Sequence, residues 1–182
     1  KRGHQVTCYD RSAQLGGEFR LAGLPPGKQD LLKAIKYYLT MCKKYGVQFK
    51  LGVDVDAAFI AQEKPDVVIV ATGSAQRTPQ VKGADSVEML HAAAVLEGRK
   101  KVGHKVLVIG GGMIGTETAD YLSEYGHDIT VLGRNPILAK DLAYNNRHFL
   151  IERLKENGVK TYTGAAVTEV SPEGATYTPN NV

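Results

Sequence analysis

Residues 105–134 read KVLVIGGGMIGTETADYLSEYGHDITVLGR, and this stretch decides the fold. Lys105 to Ile109 is a short apolar run that ends in glycine, the pattern of a buried strand. From Met113 to Tyr125 the apolar positions recur at helical spacing, and from Ile129 to Leu132 a second apolar run follows. Between the first run and the helix stands Gly110-Gly111-Gly112-Met113-Ile114-Gly115, which fits G-x-G-x-x-G. Alone that pattern is weak, but between a strand and a helix it is specific. Gly110 permits the tight turn out of the strand, Gly112 lets backbone approach a pyrophosphate, and Gly115 lets helix and strand pack closely. A pyrophosphate would rest on the first N–H groups of the helix, among them those of Met113 and Ile114, at the positive end of its dipole. The stretch is therefore expected to be a Rossmann-type βαβ unit of an α/β fold, holding a nicotinamide dinucleotide.

The end of the second strand reads the adenosine ribose. An acid there would accept from the 2′-hydroxyl of NAD. This chain has Leu132-Gly133-Arg134-Asn135, with no acid and an arginine. A guanidinium pairs well with the 2′-phosphate of NADP, so Arg134 favours NADP, and NAD is the alternative.

Outward from this unit the βαβ alternation continues. A helix is expected over 144–157, closed by Gly158, then strands over 159–162, 166–170 and 175–178. Upstream, Gln5 to Tyr9 reads as a strand ending at Asp10, followed by a loop carrying Gly16-Gly17 and Pro25-Pro26-Gly27. Leu31, Leu32, Ile35, Leu39 and Cys42 predict a helix over 30–44 that Gly46 ends. A strand over 47–51 and a short helix over 55–62 follow. Val67-Val68-Ile69-Val70-Ala71 is a continuous apolar run, as in a parallel strand buried on both faces; it stops at Thr72-Gly73. Residues 74–104, with Pro79, Gly83, Gly98 and Gly103, read as a connection containing a short helix at 92–96. A break near residue 80 thus separates two segments of parallel type, and only the second has a glycine fingerprint.

With 43% apolar residues in 182, the chain can build one large domain or one and part of another. No stretch approaches the ~20 apolar residues of a membrane-spanning helix, and no basic-then-apolar leader marks it for secretion, so a cytoplasmic protein is expected. The net charge of +4 is dispersed, which argues against nucleic acid as a partner. Arg99-Lys100-Lys101 is a solvated linker. The chain lacks an initiator Met, opens in a turn at Lys1-Arg2-Gly3-His4 and closes in an Asn-rich end. It is expected to be a piece of a longer protein.

Other candidate sites are weak. Gly27-Lys28 lacks the spacing and the Ser/Thr of a phosphate loop. The five histidines show no metal-ligand spacing. Asp85, Glu88 and His91 lie near one another without a pocket signal. Tyr37-Tyr38 and Tyr121, Tyr125 read as packing residues. Cys8 and Cys42 form no Cys-x-x-Cys, so a disulfide framework, a zinc site and a dithiol redox pair are all unsupported.

Four stretches carry a family resemblance that spans nearly the whole chain. They are Arg2 to Asp10 with Leu15-Gly16-Gly17-Glu18-Phe19; Leu24-Pro25-Pro26-Gly27-Lys28 with the helix after it; Pro65-Asp66 through Thr72-Gly73 to Pro79; and Gly110 to Gly115 with Glu117-Thr118-Ala119. Together they resemble the reductase half of the NADH:flavin oxidoreductases of the old yellow enzyme superfamily. That group includes bacterial 2,4-dienoyl-CoA reductase, 2-enoate reductase and trimethylamine dehydrogenase. The resemblance implies a two-dinucleotide-binding flavoprotein fold, with 1–79 part of an FAD-binding domain and 80–182 an NAD(P)-binding domain that is incomplete at its C-terminal end. It implies that Asp10 binds the FAD ribose and that Gly16, Gly17, Thr72 and Gly73 lie along the FAD. The group usually has Glu at the Asp10 position and often Gln at the Glu18 position. Its FAD fingerprint would precede Lys1 and its second FAD segment would follow Val182. Its FMN barrel and iron–sulfur ligands, the missing partner half, would lie further upstream.

Cysteine positions separate the relatives. A thiol relay would need cysteines just after the Gly-Gly loop, where Glu18-Phe19-Arg20 stand, or within 74–182, where none occurs. The implied activity is hydride transfer from NAD(P)H to FAD, with electrons passing to FMN in the whole protein to reduce an enoate- or dienoyl-type substrate; the piece alone is expected to be inactive. The alternative is a nucleotide-binding module of ADP type that transfers no hydride.

Overall fold

A computed structural model of the chain describes residues 2–179. The expected turn at residues 1–4 begins outside them, and the Asn-rich end also falls outside. The chain divides into two compact units, Lys1–Gly23 with Gly27–Ala75, and Leu24–Pro26 with Gln76–Val182.

In the second unit, β3 (Lys105–Ile109), β4 (Asp128–Gly133) and β5 (Lys160–Thr163) form a parallel sheet in the order β3-β4-β5. Val106 pairs with Ile129, and Val131 with Thr161. Helix α5 (Met113–Ser123) crosses from β3 to β4, and α6 (Tyr144–Glu156) from β4 to β5. Parallel neighbours require such crossovers, and the helices bury the sheet. The core gathers Ala119 and Leu122 of α5, Ile129 and Val131 of β4, and Leu150 and Leu154 of α6, with Val95 of α4 (Ala92–Leu96). Helix α6 ends in a Schellman motif. Gly158, at φ 71°, donates to the Lys155 carbonyl at 3.0 Å, and Val159 donates to that of Leu154 at 2.9 Å. β6 (Ala165–Ser171) and β7 (Gly174–Pro179) form an antiparallel hairpin. A 3₁₀ turn at Ala84–Ser86 in the connection was not expected from the sequence; beside it Lys82 bridges to Glu169 of β6.

In the first unit, β1 (Thr7–Asp10) pairs in parallel with β2 (Gln48–Leu51). Helix α2 (Asp30–Lys44) occupies the range its spacing predicts, and α3 (Ala57–Glu63) is capped by Asp56, whose carboxylate accepts the Phe59 N–H at 2.8 Å. Three expectations fail here. Gly16-Gly17 stand at the start of a helical turn, α1 (Gly17–Ala22), and not in a plain loop. The run 67–71 is not a strand. No described residue pairs with it, and Val67, Ile69 and Val70 are 76%, 86% and 76% exposed. Apolar β-branched residues make a buried strand only where neighbours complete the ladder, and among the described residues β1 and β2 pair only with each other. Tyr37 and Tyr38 meet edge to face and are exposed instead of packed. Among the described residues, no helix is long and apolar enough to cross a membrane.

Candidate functional site

The fingerprint occupies the end of β3 and the start of α5. Gly110 takes φ 129°, a conformation that side-chained residues rarely adopt, and its N–H donates to the Leu132 carbonyl at 2.9 Å. Gly112 is the residue before the first helical turn, in extended conformation. A Cβ on Gly115 would collide with the Gly110 carbonyl oxygen and come within 3.0 Å of its carbon. Helix and turn are therefore in direct backbone contact there. At Gly110 a Cβ would meet nothing within 4 Å, and at Gly112 it would meet only the Asp141 carboxylate, at 3.6 and 3.8 Å. The turn is thus closed behind, at Gly115, and open in front. The first N–H groups of a helix have no acceptor within it, so the open face fits a phosphate. Ile114 is 64% exposed on that first turn.

A second loop closes over the turn. Gly111 and Gly133 approach so closely that a Cβ on Gly111 would lie 2.8 Å from the Gly133 Cα. Leu138 fills the remaining space: the same Cβ would lie 2.7 Å from its Cδ2. Ala139 donates its N–H to the Gly111 carbonyl at 2.7 Å, and Arg147 Nε donates to the Leu138 carbonyl at 2.7 Å. Ala139 is fully buried at φ 48°. Asp141 then places its carboxylate at the helix start, where Oδ1 and Oδ2 accept the Met113 N–H at 2.8 and 3.1 Å. Sequence reasoning missed this strap. Its one signal is negative: Gly112 has no side chain to cap α5, so a cap had to come from elsewhere.

Further along α5, Thr116 and Asp120 are buried polar residues. Thr116 donates its hydroxyl to the Gly112 carbonyl at 2.8 Å. Asp120 receives the Arg153 guanidinium through Nη2 at 2.7 Å and Nε at 3.2 Å. Arg134 is exposed, directly after β4.

In the first unit Asp10 ends β1 and accepts the Ser12 N–H at 2.8 Å. Gly16, at φ 111°, faces Ile35, and Gly17 begins α1. Thr72 and Gly73 lie in the exposed segment after Ala71. Ser74 donates its hydroxyl to Glu18 of α1 at 2.7 Å, and a Cβ on Gly73 would lie 3.9 Å from that carboxylate. Gly73 is therefore brought to Glu18, the residue after Gly17, while Asp10 stands apart at the end of β1. Burial raises the Cys8 thiol pKa, with Asp10 and then Cys42 adding to it. Among the described residues no group of His, Cys, Asp and Glu is gathered to hold a metal ion.

Residues 61–181 match the family described as pyridine nucleotide-disulphide oxidoreductase. The chain is 36% identical over 178 residues to the NADH oxidase of Thermoanaerobacter brockii, covering 96% of this chain and 27% of that protein. It is 36% identical over 176 residues to the cinnamate reductase of Clostridium sporogenes, covering 95% and 26%. Among solved structures, a 2-naphthoyl-CoA reductase in complex with 2-naphthoyl-CoA superposes with a TM-score of 0.92 at 32% identity, covering 97% of this chain and 27% of that one. The chain thus spans about a quarter of the length of these relatives.

Proposed function

The chain belongs to the pyridine nucleotide-disulphide oxidoreductase family, and from that premise we propose that it is the dinucleotide-binding part of a longer NAD(P)H-dependent flavin oxidoreductase. The observation that carries this is the turn at Gly110–Gly115, closed by backbone contact behind and bordered in front only by the exposed Asp141 carboxylate on the Met113 N–H. In this reading residues 80–182 are the NAD(P)-binding domain and residues 1–79 part of the FAD-binding domain. Gly110, Gly112, Met113, Ile114 and Gly115 seat the pyrophosphate of the nicotinamide dinucleotide, and Arg134 contacts its ribose end, favouring NADP. Asp10 accepts from the FAD ribose, while Gly16, Gly17, Thr72 and Gly73 border the FAD. When both cofactors are bound, the nicotinamide supplies a hydride and the flavin accepts it; the protein binds, orients and excludes water.

The whole protein is proposed to belong with the reductases of the old yellow enzyme superfamily and to act on an enoate- or dienoyl-type substrate. Similarity to a cinnamate reductase and to a 2-naphthoyl-CoA reductase supports this. No cysteine stands within 74–182 or just after Gly16-Gly17, where Glu18-Phe19-Arg20 stand, so a thiol relay on this chain is disfavoured. FMN and an iron–sulfur cluster, in a barrel half, are the proposed onward carriers.

The test is anaerobic stopped-flow mixing of the full-length protein with NADPH and with NADH. Bleaching of the flavin absorbance at a catalytically competent rate is expected. Binding of the nucleotide without bleaching would replace this reading with that of a nucleotide-binding module of ADP type.

A further inference from the structure

The N–H of Met113 is one of the groups a bound pyrophosphate would take, and in this structure a carboxylate already holds it. We propose that Asp141 is a built-in competitor for the phosphate seat of α5, capping the helix when no nucleotide is bound and being displaced when one binds. This rests on the reading of Gly110–Gly115 as a dinucleotide site.

Three observations carry it. Both Asp141 oxygens lie within hydrogen-bond distance of the Met113 nitrogen, at 2.8 and 3.1 Å. The same oxygens stand 3.6 and 3.8 Å from the point where a Gly112 Cβ would sit, the open face by which a phosphate must approach. The placement is enforced. Two residues earlier, the buried Ala139 takes φ 48° while its N–H donates to the Gly111 carbonyl, a conformation rare for a residue with a Cβ. A strained backbone at such a place is retained where the surrounding structure over-determines it.

The physical consequence follows from charge. An anionic carboxylate satisfies the helix N-terminus in the free protein. A pyrophosphate brings like charge to within a few ångströms of it, so the carboxylate must swing out to solvent, and the bond to Met113 passes from one anion to the other. Asp141 is exposed, so the swing needs no unpacking of the core. Affinity for any ligand bearing a phosphate at this seat is thereby lowered, while affinity for the uncharged adenosine part is unchanged.

The test is isothermal titration of the full-length protein, wild type and Asp141→Asn, with ADP-ribose, NADPH, inorganic pyrophosphate and adenosine. Asparagine keeps an oxygen for Met113 and removes the charge. Asp141→Asn is expected to bind the three phosphate-bearing probes about fivefold more tightly, the effect of one like charge removed at a few ångströms in water, with adenosine unchanged. Asp141→Ala, lacking the cap, should also bind them more tightly while melting lower in the free state. Equal or weaker binding of the phosphate-bearing probes by Asp141→Asn would overturn the competitor role and leave the dinucleotide site standing. A wild type that binds ADP-ribose no better than adenosine would overturn both.

Discussion

Gly115 and Gly112 belong to one motif but are constrained in opposite ways. At Gly115 a Cβ meets backbone, which has nowhere to move. Gly115→Ala is therefore expected to cost about 1–3 kcal/mol through overpacking and to spoil nucleotide binding with it, as denaturant unfolding and titration would show. At Gly112 the φ of −79° suits any residue and the nearest atoms are the Asp141 oxygens. Gly112→Val is expected to leave the unfolding midpoint nearly unchanged and to abolish dinucleotide binding by filling the phosphate's space; unchanged affinity by calorimetry would refute the site. Arg134 invites a test of nucleotide preference. A charge-assisted pair of bonds to a 2′-phosphate contributes ~1.5–3 kcal/mol when well formed, and less when exposed and screened. Arg134→Ala in the full-length enzyme should lower kcat/KM for NADPH by about tenfold more than for NADH, the difference shrinking at high salt; equal losses, or a wild-type preference for NADH, would sink the NADP assignment. Gly110 and Gly115 were legible because each answers a local geometric demand, a positive φ at the first and backbone contact at the second. Asp141 was not, because it reaches Met113 from 28 positions along the chain, and nothing local specifies that contact.

At the scale of elements, what was legible was what is decided locally. The ranges of α2, α4 and β3 coincide with those that spacing predicts, and α5 and α6 end within two residues of them. Apolar periodicity and the C-terminal glycines Gly46 and Gly158 fix these boundaries. The run 67–71 misled because a strand is a property of its neighbours as well as of its residues. Equally invisible was the pairing of α5 with α6 through Asp120 and Arg153. Asp120 is 1% exposed and is paired with the Arg153 guanidinium. Removing one partner of such a pair leaves the other buried and uncompensated, at a cost of about 3–5 kcal/mol when both are deep. The Arg153 side chain is 39% exposed, so water offsets part of that. Arg153→Ala is expected to destabilise by about 2–3 kcal/mol in urea unfolding, and the double change Asp120→Leu with Arg153→Met to recover most of it. If the single change costs under ~0.5 kcal/mol, the pair is no more than a surface contact.

Across the whole molecule, burial is unequally shared, and this predicts how the chain opens. Every member of the hydrophobic core cluster, from Val95 to Val159, lies in the second unit. Among the described residues of the first unit, Gly23 alone is buried, while Val67, Ile69 and Val70 face solvent. Since folding free energy follows apolar burial at roughly 25 cal/mol per Å², the two units should differ widely in local stability. Native-state hydrogen exchange is therefore expected to find the slowest amides in β3, β4 and α5, with those of β1, β2 and α2 opening at much lower free energy. Limited proteolysis should cut first within 67–80, where no regular structure protects the backbone, and leave a resistant product beginning near Gln76. Dinucleotide gives the decisive contrast. A ligand seated at Gly110–Gly115 stabilises only the unit that binds it, by RT ln(1 + [L]/Kd), about 2.7 kcal/mol at a hundredfold excess over Kd. NADPH or ADP-ribose should therefore slow exchange in β3, β4 and α5 by about that amount and leave β1, β2 and α2 unchanged. A single transition in which both units gain the same protection would show that they fold as one, and would refute the separation on which this prediction stands.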